Sequence, residues 1–318
     1  MAHMALALTY WLLFLLPLLL VARTLASSNR KVRKISHECE RVLVLGGTSG
    51  IGREIARRYV SRGAKVCIVG RGEDKLKETI EECRTLNSEA SVFGYTADLA
   101  GVEDMTRLRR HLEQDFQGLD TMIVAAGVSA VRPLLDIAGV QSSRDACSEG
   151  IERAVTVANA ALKSNFTGPL VAAVTLIPLL KRTSPSPSIL LISSLGAVIP
   201  APTRTIYGST KGASLILYQA LAIEHPSIRF SSVLPSTVEG DFRASAVDID
   251  DRDSKPSSWN PEGLKIRDVA QRCIIAVDRR EKLVFFPATM RLGHFLYWIW
   301  PSFIERKAKK KYGFTAAS

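Results

Sequence analysis

The chain has 318 residues, 47% of them apolar, with a net charge of +11 and a mean hydropathy of +0.10. That length holds one large domain or two ordinary ones, and the hydropathy implies apolar sequence outside a normal core. Five scattered cysteines (Cys39, Cys67, Cys83, Cys147, Cys273) with no C-x-x-C exclude a disulfide framework and a cysteine zinc site, and fit a reducing compartment.

The first 36 residues carry five bases and no acid, and the last fifteen carry five bases and one acid, so nine of the eleven net charges lie in the tails. A nearly neutral body speaks against a nucleic-acid partner. Basic tails beside apolar segments fit an anionic membrane surface. Residues 5–22 read ALALTYWLLFLLPLLLVA, eighteen residues without a charge. As a helix they extend about 27 Å, close to the ~30 Å hydrocarbon core of a bilayer. A secretory signal is the competing reading, because TLASS offers a cut after Ala26. The bases follow the apolar run instead of preceding it, which argues for an anchor with the rest of the chain in the cytosol. Residues 1–36 are expected to be an N-terminal membrane helix and its basic flank.

Beyond residue 40, short apolar runs alternate with helical patterns. Strands are predicted at 41–45, 65–69, 91–96, 119–125, 188–192, 228–234 and 282–286. Helices are predicted at 54–61, 74–86 and 102–116, in a long stretch ending at 180, and at 206–224 and 267–277. This alternation predicts an α/β fold, a Rossmann-type doubly wound parallel sheet over residues 37–287. The stretch DIDDRDSKPSSWNP, 248–261, is expected to be a loop and a mobile lid. Residues 288–318 form an aromatic and basic C-terminal segment whose apolar part, 292–304, is too short to span a bilayer. Two readings of it stay open: an amphipathic element at a membrane interface, or a helix packed on its own domain. His294 is expected at that interface, and Pro301 interrupts any long helix.

VLVLGGTSGIG sets Gly46, Gly50 and Gly52 between the first strand and the first helix. Glycine permits the tight turn and the close approach of a pyrophosphate over the helix N-terminus. Thr48 and Ser49 add hydroxyls, and Ile51 completes the run. The second strand ends in VGRG. No carboxylate stands there for a ribose hydroxyl, and the guanidinium of Arg71 can bind a 2′-phosphate, so NADP(H) is the expected cofactor. A solvated surface charge is the plainer reading of Arg71. Further on, TRTIYGSTKGAS places Tyr207 and Lys211 four residues apart, on one face of a helix. Alone, such a pair is an ordinary helix surface. No metal cluster is visible.

Together these motifs resemble the short-chain dehydrogenase/reductase superfamily over about residues 41–287: the glycine turn, Asp98-Leu99, Gly127, Asn165, Ser194, and Tyr207 with Lys211. Ser194 precedes Tyr207 by thirteen residues, the separation the family uses when both line one pocket. With its apolar N-terminus and aromatic, basic C-terminus, the chain is similar to the membrane-bound 11-beta-hydroxysteroid dehydrogenase and dehydrogenase/reductase member 7 branches. The resemblance implies catalysis by Asn165, Ser194, Tyr207 and Lys211, with Tyr207 as general acid and base, Ser194 holding the carbonyl oxygen, and Asn165 supporting a water relay behind Lys211. It implies cofactor contacts from Gly46, Thr48, Ser49, Gly50, Ile51, Gly52 and Arg71; from Asp98 and Leu99 at the adenine; and from Ala126, Gly127, Tyr207, Lys211, Pro235 and Val238. The implied reaction interconverts a ketone and a secondary alcohol on a lipophilic substrate: a sterol or terpenoid ketone, a 3-ketosphingoid base, or an acyl-dihydroxyacetone phosphate. The implied setting is an endoplasmic reticulum or lipid droplet membrane, with the catalytic domain facing the cytosol and homo-oligomers allowed.

The chain departs from the family pattern at several points. Leu45 stands where a threonine is usual, VAAG (124–127) replaces Asn-Asn-Ala-Gly, Ser236 replaces a glycine after Pro235, and Gly240 replaces a threonine. The stretch 128–164 is longer than usual and is expected to be a helical insertion at the active-site mouth. These departures motivate a second reading, a catalytically silent NADP-binding membrane scaffold or sensor. Asn165 also opens an N-F-T glycosylation sequon, and Asp98 is also a candidate helix cap.

Overall fold

The computed structural model describes residues 15, 35–87, 89, 91–141, 145–249 and 261–314. The expected anchor, apart from residue 15, and positions 250–260 of the expected lid lie outside the described residues. The chain divides into two units, and the second, Lys34–Ser318, carries all that follows.

Its sheet consists of β1 (Arg41–Leu45), β2 (Lys65–Gly70), β3 (Val92–Thr96), β4 (Thr121–Val124), β5 (Ser188–Ile192), β6 (Arg229–Pro235) and β7 (Leu283–Phe286). They lie in the order β3-β2-β1-β4-β5-β6-β7, and every pairing is parallel. The helices are α1 (Gly50–Ser61), α2 (Glu73–Leu86), α3 (Val102–Gln114), α4 (Leu134–Ile137), α5 (Ser148–Leu162), α6 (Gly168–Thr183), α7 (Thr205–Glu224), α8 (Ile266–Asp278), α9 (Met290–Ile299) and α10 (Pro301–Tyr312).

A parallel sheet must be covered on both faces, and its strands read as continuous apolar runs with side chains alternating between the two sides. Leu43, Leu45, Cys67, Val69, Met122 and Val124 pack with Met105, Leu108 and Leu112 of α3 and Leu176 and Leu180 of α6. Val42, Val44, Val66, Ile68 and Ile123 pack with Ile55 and Tyr59 of α1, Leu76 of α2 and Val269 and Ile274 of α8. Each fully buried side chain of this kind stabilises the fold by about 1.5–3 kcal/mol. At the N-terminal edge of the sheet Arg41 grips Asp120 through Nε–Oδ2 (2.8 Å) and Nη2–Oδ1 (2.9 Å). The strand order reverses between β1 and β4, and the crevice at their C-terminal ends is where open sheets of this type bind ligands.

All seven predicted strands are present, β1 and β5 with the predicted bounds and the other five with ends shifted by one or two residues. α1 begins at Gly50, four residues before the predicted start, because its glycines carry no apolar periodicity. α3 ends at Gln114, since Gln117 (φ 64°) and Gly118 (φ 113°) turn the chain out of the helix. The long stretch predicted to end at 180 resolves into α4, α5, a π-turn over Lys163–Thr167, and α6. Among the described residues Ser148–Thr183 is the one helix long and apolar enough to cross a membrane. Its α6 half owes that apolarity to the core, where Ala172, Leu176, Leu179 and Leu180 are buried. The C-terminal segment is two helices broken at Trp300, with Pro301 in the first turn of α10, where a missing N–H is harmless. His294 corrects an expectation. Its ring stacks on Phe285 (centroids 5.5 Å) and Nδ1 lies 3.2 Å from the Val198 carbonyl oxygen, so it faces the domain.

Candidate active site

β1 runs into Gly46 and Gly47, whose N–H groups both donate to the Val69 carbonyl oxygen (2.9 and 3.0 Å). Gly46 (φ 82°) and Gly50 (φ 51°) occupy the left-handed region that side chains avoid. A Cβ on Gly46 would sit 2.6 Å from the Ala126 nitrogen, and one on Gly52 would sit 2.2 Å from the Gly46 carbonyl oxygen. Ser49 at the N-cap makes no side-chain cap bond, so the first-turn amides of α1 keep the free N–H groups that attract an anion. This cradle, which any side chain would fill, fits a dinucleotide pyrophosphate. Val124 and Ala125 stand where the two asparagines are expected, and Ala125 and Ala126 donate their N–H groups to the Leu45 carbonyl oxygen (2.9 and 3.0 Å). Leu45 itself is fully buried in the core.

Thr48 packs over Gly70, where a Cβ would meet its methyl carbon at 2.4 Å. Arg71 follows, exposed. Asp98 pairs with Lys163 Nζ (2.9 Å) and accepts from the Ala100 N–H (3.1 Å). The Lys163 ammonium holds the Asp98 carboxyl below the usual carboxylate range, and Arg71 is near enough to act in the same direction. The N-cap of α3 is Gly101 rather than Asp98. Lys163 is a member of this cluster that the sequence reading missed. Its only sequence signal is a position two residues before Asn165.

Gly127 explains the next convergence. A Cβ there would lie 2.8 Å from Asn165 Oδ1 and 3.0 Å from Lys211 Nζ, so only glycine leaves room for both side chains. Asn165 sits in the π-turn, buried, with Oδ1 accepting from the Val128 N–H (2.8 Å) and Nδ2 donating to the Val128 carbonyl (3.0 Å) and to Thr210 Oγ1 (3.0 Å). Both amide protons are committed, and the sequon nitrogen is 1% exposed at the residue level, closed to modification in the folded chain. Asn165→Ala removes all three bonds and strands a buried N–H. The expected loss is about 2–4 kcal/mol, read as a lowered urea midpoint at unchanged m-value. An unchanged midpoint would contradict this clamp role.

Tyr207 and Lys211 occupy the first two turns of α7. Lys211 is 5% exposed, its Nζ donates to the Ile192 carbonyl (3.2 Å), and burial pushes its pKa down to about 8. Burial pushes the Tyr207 phenol above its ordinary value, while a hydrogen bond with Ser194 and the charge of Arg204 pull it back. Ser194 lies two residues beyond β5 and caps the 3-10 turn Leu195–Ala197, its Oγ accepting from the Gly196 N–H (3.2 Å). The Ser193 hydroxyl is buried and has no hydrogen-bond partner among the described residues, so of the two serines Ser194 is the one joined to the tyrosine.

Three residues around Tyr207 were not legible in the sequence. Phe242 meets its ring edge-on (5.9 Å between centroids). Arg204 bonds Ser129 Oγ and the Ala130 carbonyl (both 3.1 Å) and lies 5.9 Å from the Tyr312 ring. Tyr312, from the end of α10, is close enough to Tyr207 to disfavour its ionisation. Arg204 carries a weak signal, one helical turn before Tyr207, and Tyr312 carries none. The 128–164 stretch packs beside this mouth, with Ala130, Ile137, Val157 and Ala161 against Ile206 and Tyr207. Pro235 closes β6, Val238 pairs with Leu264, and Gly240 takes φ 112°, a conformation the expected threonine would resist. A cavity of about 450 Å³ lined by Leu170, Ile177, Leu217 and His225 includes none of these residues. Among the described residues no group of three or more His, Cys, Asp or Glu could hold a metal ion.

The family pattern described as short chain dehydrogenase matches residues 40–250. An Arabidopsis thaliana protein called 11-beta-hydroxysteroid dehydrogenase-like 4A is 29% identical over 199 residues, 62% of this chain. The chain spans only 60% of that relative's length. A Xenopus tropicalis protein called dehydrogenase/reductase SDR family member 7B is 26% identical over 282 residues, 85% of this chain and 86% of the relative. Of solved structures, a short-chain dehydrogenase from Sphingobium yanoikuyae in complex with NADPH has a TM-score of 0.61 at 26% identity, covering 78% of this chain and 88% of that one. One from Burkholderia phymatum in complex with NAD reaches a TM-score of 0.70 at 18% identity, covering 85% and 97%, a likeness of fold.

Proposed function

The chain belongs to the short chain dehydrogenase family, and from that premise we propose that it is an NADP(H)-dependent oxidoreductase interconverting a ketone and a secondary alcohol on a lipophilic substrate. The observation that carries this reading is the hydrogen bond between Ser194 and Tyr207 on a helix that, one turn on, brings Lys211 against Gly127, next to a glycine cradle that a dinucleotide fits.

The nicotinamide, when bound, supplies or takes the hydride at the carbonyl carbon. In reduction the Tyr207 hydroxyl gives its proton to the carbonyl oxygen, and in oxidation the phenolate takes the alcohol proton. Ser194 Oγ donates a hydrogen bond to the same oxygen, which orients it and steadies its developing charge. The Lys211 ammonium, one helical turn away, favours the phenolate. Asn165 is a positioning residue that holds the Val128 backbone. Gly46, Thr48, Ser49, Gly50, Ile51 and Gly52 hold the pyrophosphate end, Asp98 and Leu99 the adenine, and Ala126, Gly127, Pro235 and Val238 the nicotinamide side.

NADP(H) is favoured by the exposed Arg71 and the absence of a carboxylate at the end of β2; the NADPH complex of the Sphingobium relative is consistent with it. Arg71→Asp is expected to raise the KM for NADPH roughly 10- to 100-fold, the worth of a charge-assisted bond, and to leave NADH use within a few fold. An unchanged NADPH KM removes Arg71 from the cofactor site.

The relative named for an 11-beta-hydroxysteroid supports a lipophilic substrate and favours a sterol-like ketone among the candidates. The proposed setting is a membrane of the endoplasmic reticulum or lipid droplet, with residues 1–36 as anchor and 37–287 facing the cytosol as the catalytic domain. The test is NADPH consumption by the full chain over a panel of sterol, terpenoid, 3-ketosphingoid and acyl-dihydroxyacetone phosphate ketones. Binding of NADPH with no consumption on any member would favour the silent scaffold instead.

A further inference from the structure

The C-terminal helix pair presents a surface that the proposed reaction does not use. The inward stripe of α9 is His294 on Phe285 and Val198, with Met290 against the Leu215, Leu234 and Phe285 cluster. Its outward stripe is Leu292, Phe295, Trp298 and Ile299, exposed by 61, 59, 75 and 64%, and Trp300 at the break is exposed by 54%. At helical spacing these four positions of α9 fill an arc of about 120°. Large apolar side chains gathered on one exposed face mark an interaction surface.

α10 continues this surface with charge. It carries Arg306, Lys307, Lys309, Lys310 and Lys311 against the single acid Glu305. No ion pair is recorded for any of the five bases among the described residues. Lys307 Nζ lies 5.6 Å from the Phe303 ring, which stacks on Trp300 (5.1 Å), so base and aromatic rings adjoin. The half-buried stripe Ile304, Ala308 and Tyr312 faces inward, and Tyr312 ends over Arg204 at the mouth of the site.

Tryptophan and phenylalanine beside lysines are the composition that settles at the headgroup–acyl boundary of a bilayer. A second copy of the chain would bring the same unpaired basic cluster against this one in a two-fold contact, whereas anionic headgroups neutralise it. We propose that the α9–α10 surface docks on an anionic lipid surface, with Leu292, Phe295, Trp298 and Ile299 in the boundary layer and the α10 lysines on lipid phosphates. Because α10 ends over Arg204, one helical turn before Tyr207, docking also sets the pocket mouth at the lipid; that consequence rests on the reading of Tyr207 given above, and the docking itself does not.

The experiment uses the full chain in proteoliposomes, carrying Trp11→Phe and Trp259→Phe so that Trp298 and Trp300 are the emitters. Brominated phosphatidylcholine mixed with phosphatidylserine is expected to quench most of their emission, and less of it when phosphatidylserine is left out. Each base near an anionic surface is worth roughly fivefold in affinity. Lys309→Glu, Lys310→Glu and Lys311→Glu together are therefore expected to restore most of the emission. Phe295→Asp is expected to do the same. Emission indifferent to the brominated lipid overturns the proposal, as does a cross-link joining α9 to α9 of a second copy without quenching. NADPH turnover on a water-soluble ketone, measured in the same samples, reports the reaction separately, so a failed docking and a failed reductase reading are told apart.

Discussion

Tyr207→Phe is expected to lower kcat by roughly a hundred- to ten-thousandfold, the usual worth of a positioned acid or base, while the NADPH dissociation constant moves by no more than a few fold. The ring contact with Phe242 survives the change, and only the hydroxyl bonded to Ser194 is lost. Stability should therefore fall by about 1 kcal/mol at most. Since burial raises the Tyr207 pKa, the phenol is protonated at neutral pH, the form reduction requires. Equal turnover in the variant would sink the mechanism. Lost turnover together with lost folding would assign the hydroxyl a structural role. Wild-type binding of NADPH without any turnover to lose would return the silent scaffold.

Lys211→Met is expected to stabilise the fold while ending turnover. The lysine is 5% exposed, holds one hydrogen bond to Ile192, and has a pKa pushed by burial to about 8, against about 10.4 in an unfolded chain. The folded state thus disfavours the charged form. Below pH 8 both states are protonated and the penalty, on the order of 3 kcal/mol, is present in full. Between the folded and unfolded values the unfolded chain binds more protons, so stability rises with pH, and above the unfolded value the penalty is gone. Methionine removes the charge and gives up the bond to Ile192, for a net gain of roughly 1–3 kcal/mol at neutral pH. The buried thiols Cys67, Cys83 and Cys273 have raised pKa values, and they lower stability as pH climbs past the unfolded thiol value. The comparison is therefore the difference between wild type and variant across alkaline pH by chemical unfolding. A variant less stable than wild type at neutral pH overturns the account. Such a penalty retained inside a fold fits a lysine kept for chemistry.

The strands, the parallel sheet and the glycine turn were legible in the chain because their signals are local. A buried strand is a run of apolar side chains, a pyrophosphate cradle is glycine spacing between a strand and a helix, and Tyr207 and Lys211 share a helix face by their spacing. Where local signal is thin, the boundaries moved, as at the glycine start of α1 and the left-handed turn after α3. What brought distant segments together was not legible. Nothing near Lys163 announces Asp98, nothing near Tyr312 announces Arg204 and Tyr207, and the tandem Ser193-Ser194 reads the same until one hydroxyl is seen against the tyrosine and the other without a partner. The aromatic and basic character of the C-terminal segment was readable in its composition, yet which face of α9 is exposed, and that His294 turns inward, depended on Phe285 and Val198. Periodicity reports how a segment meets solvent and core; which partners it meets depends on sheet order and helix docking, which bring together residues far apart along the chain.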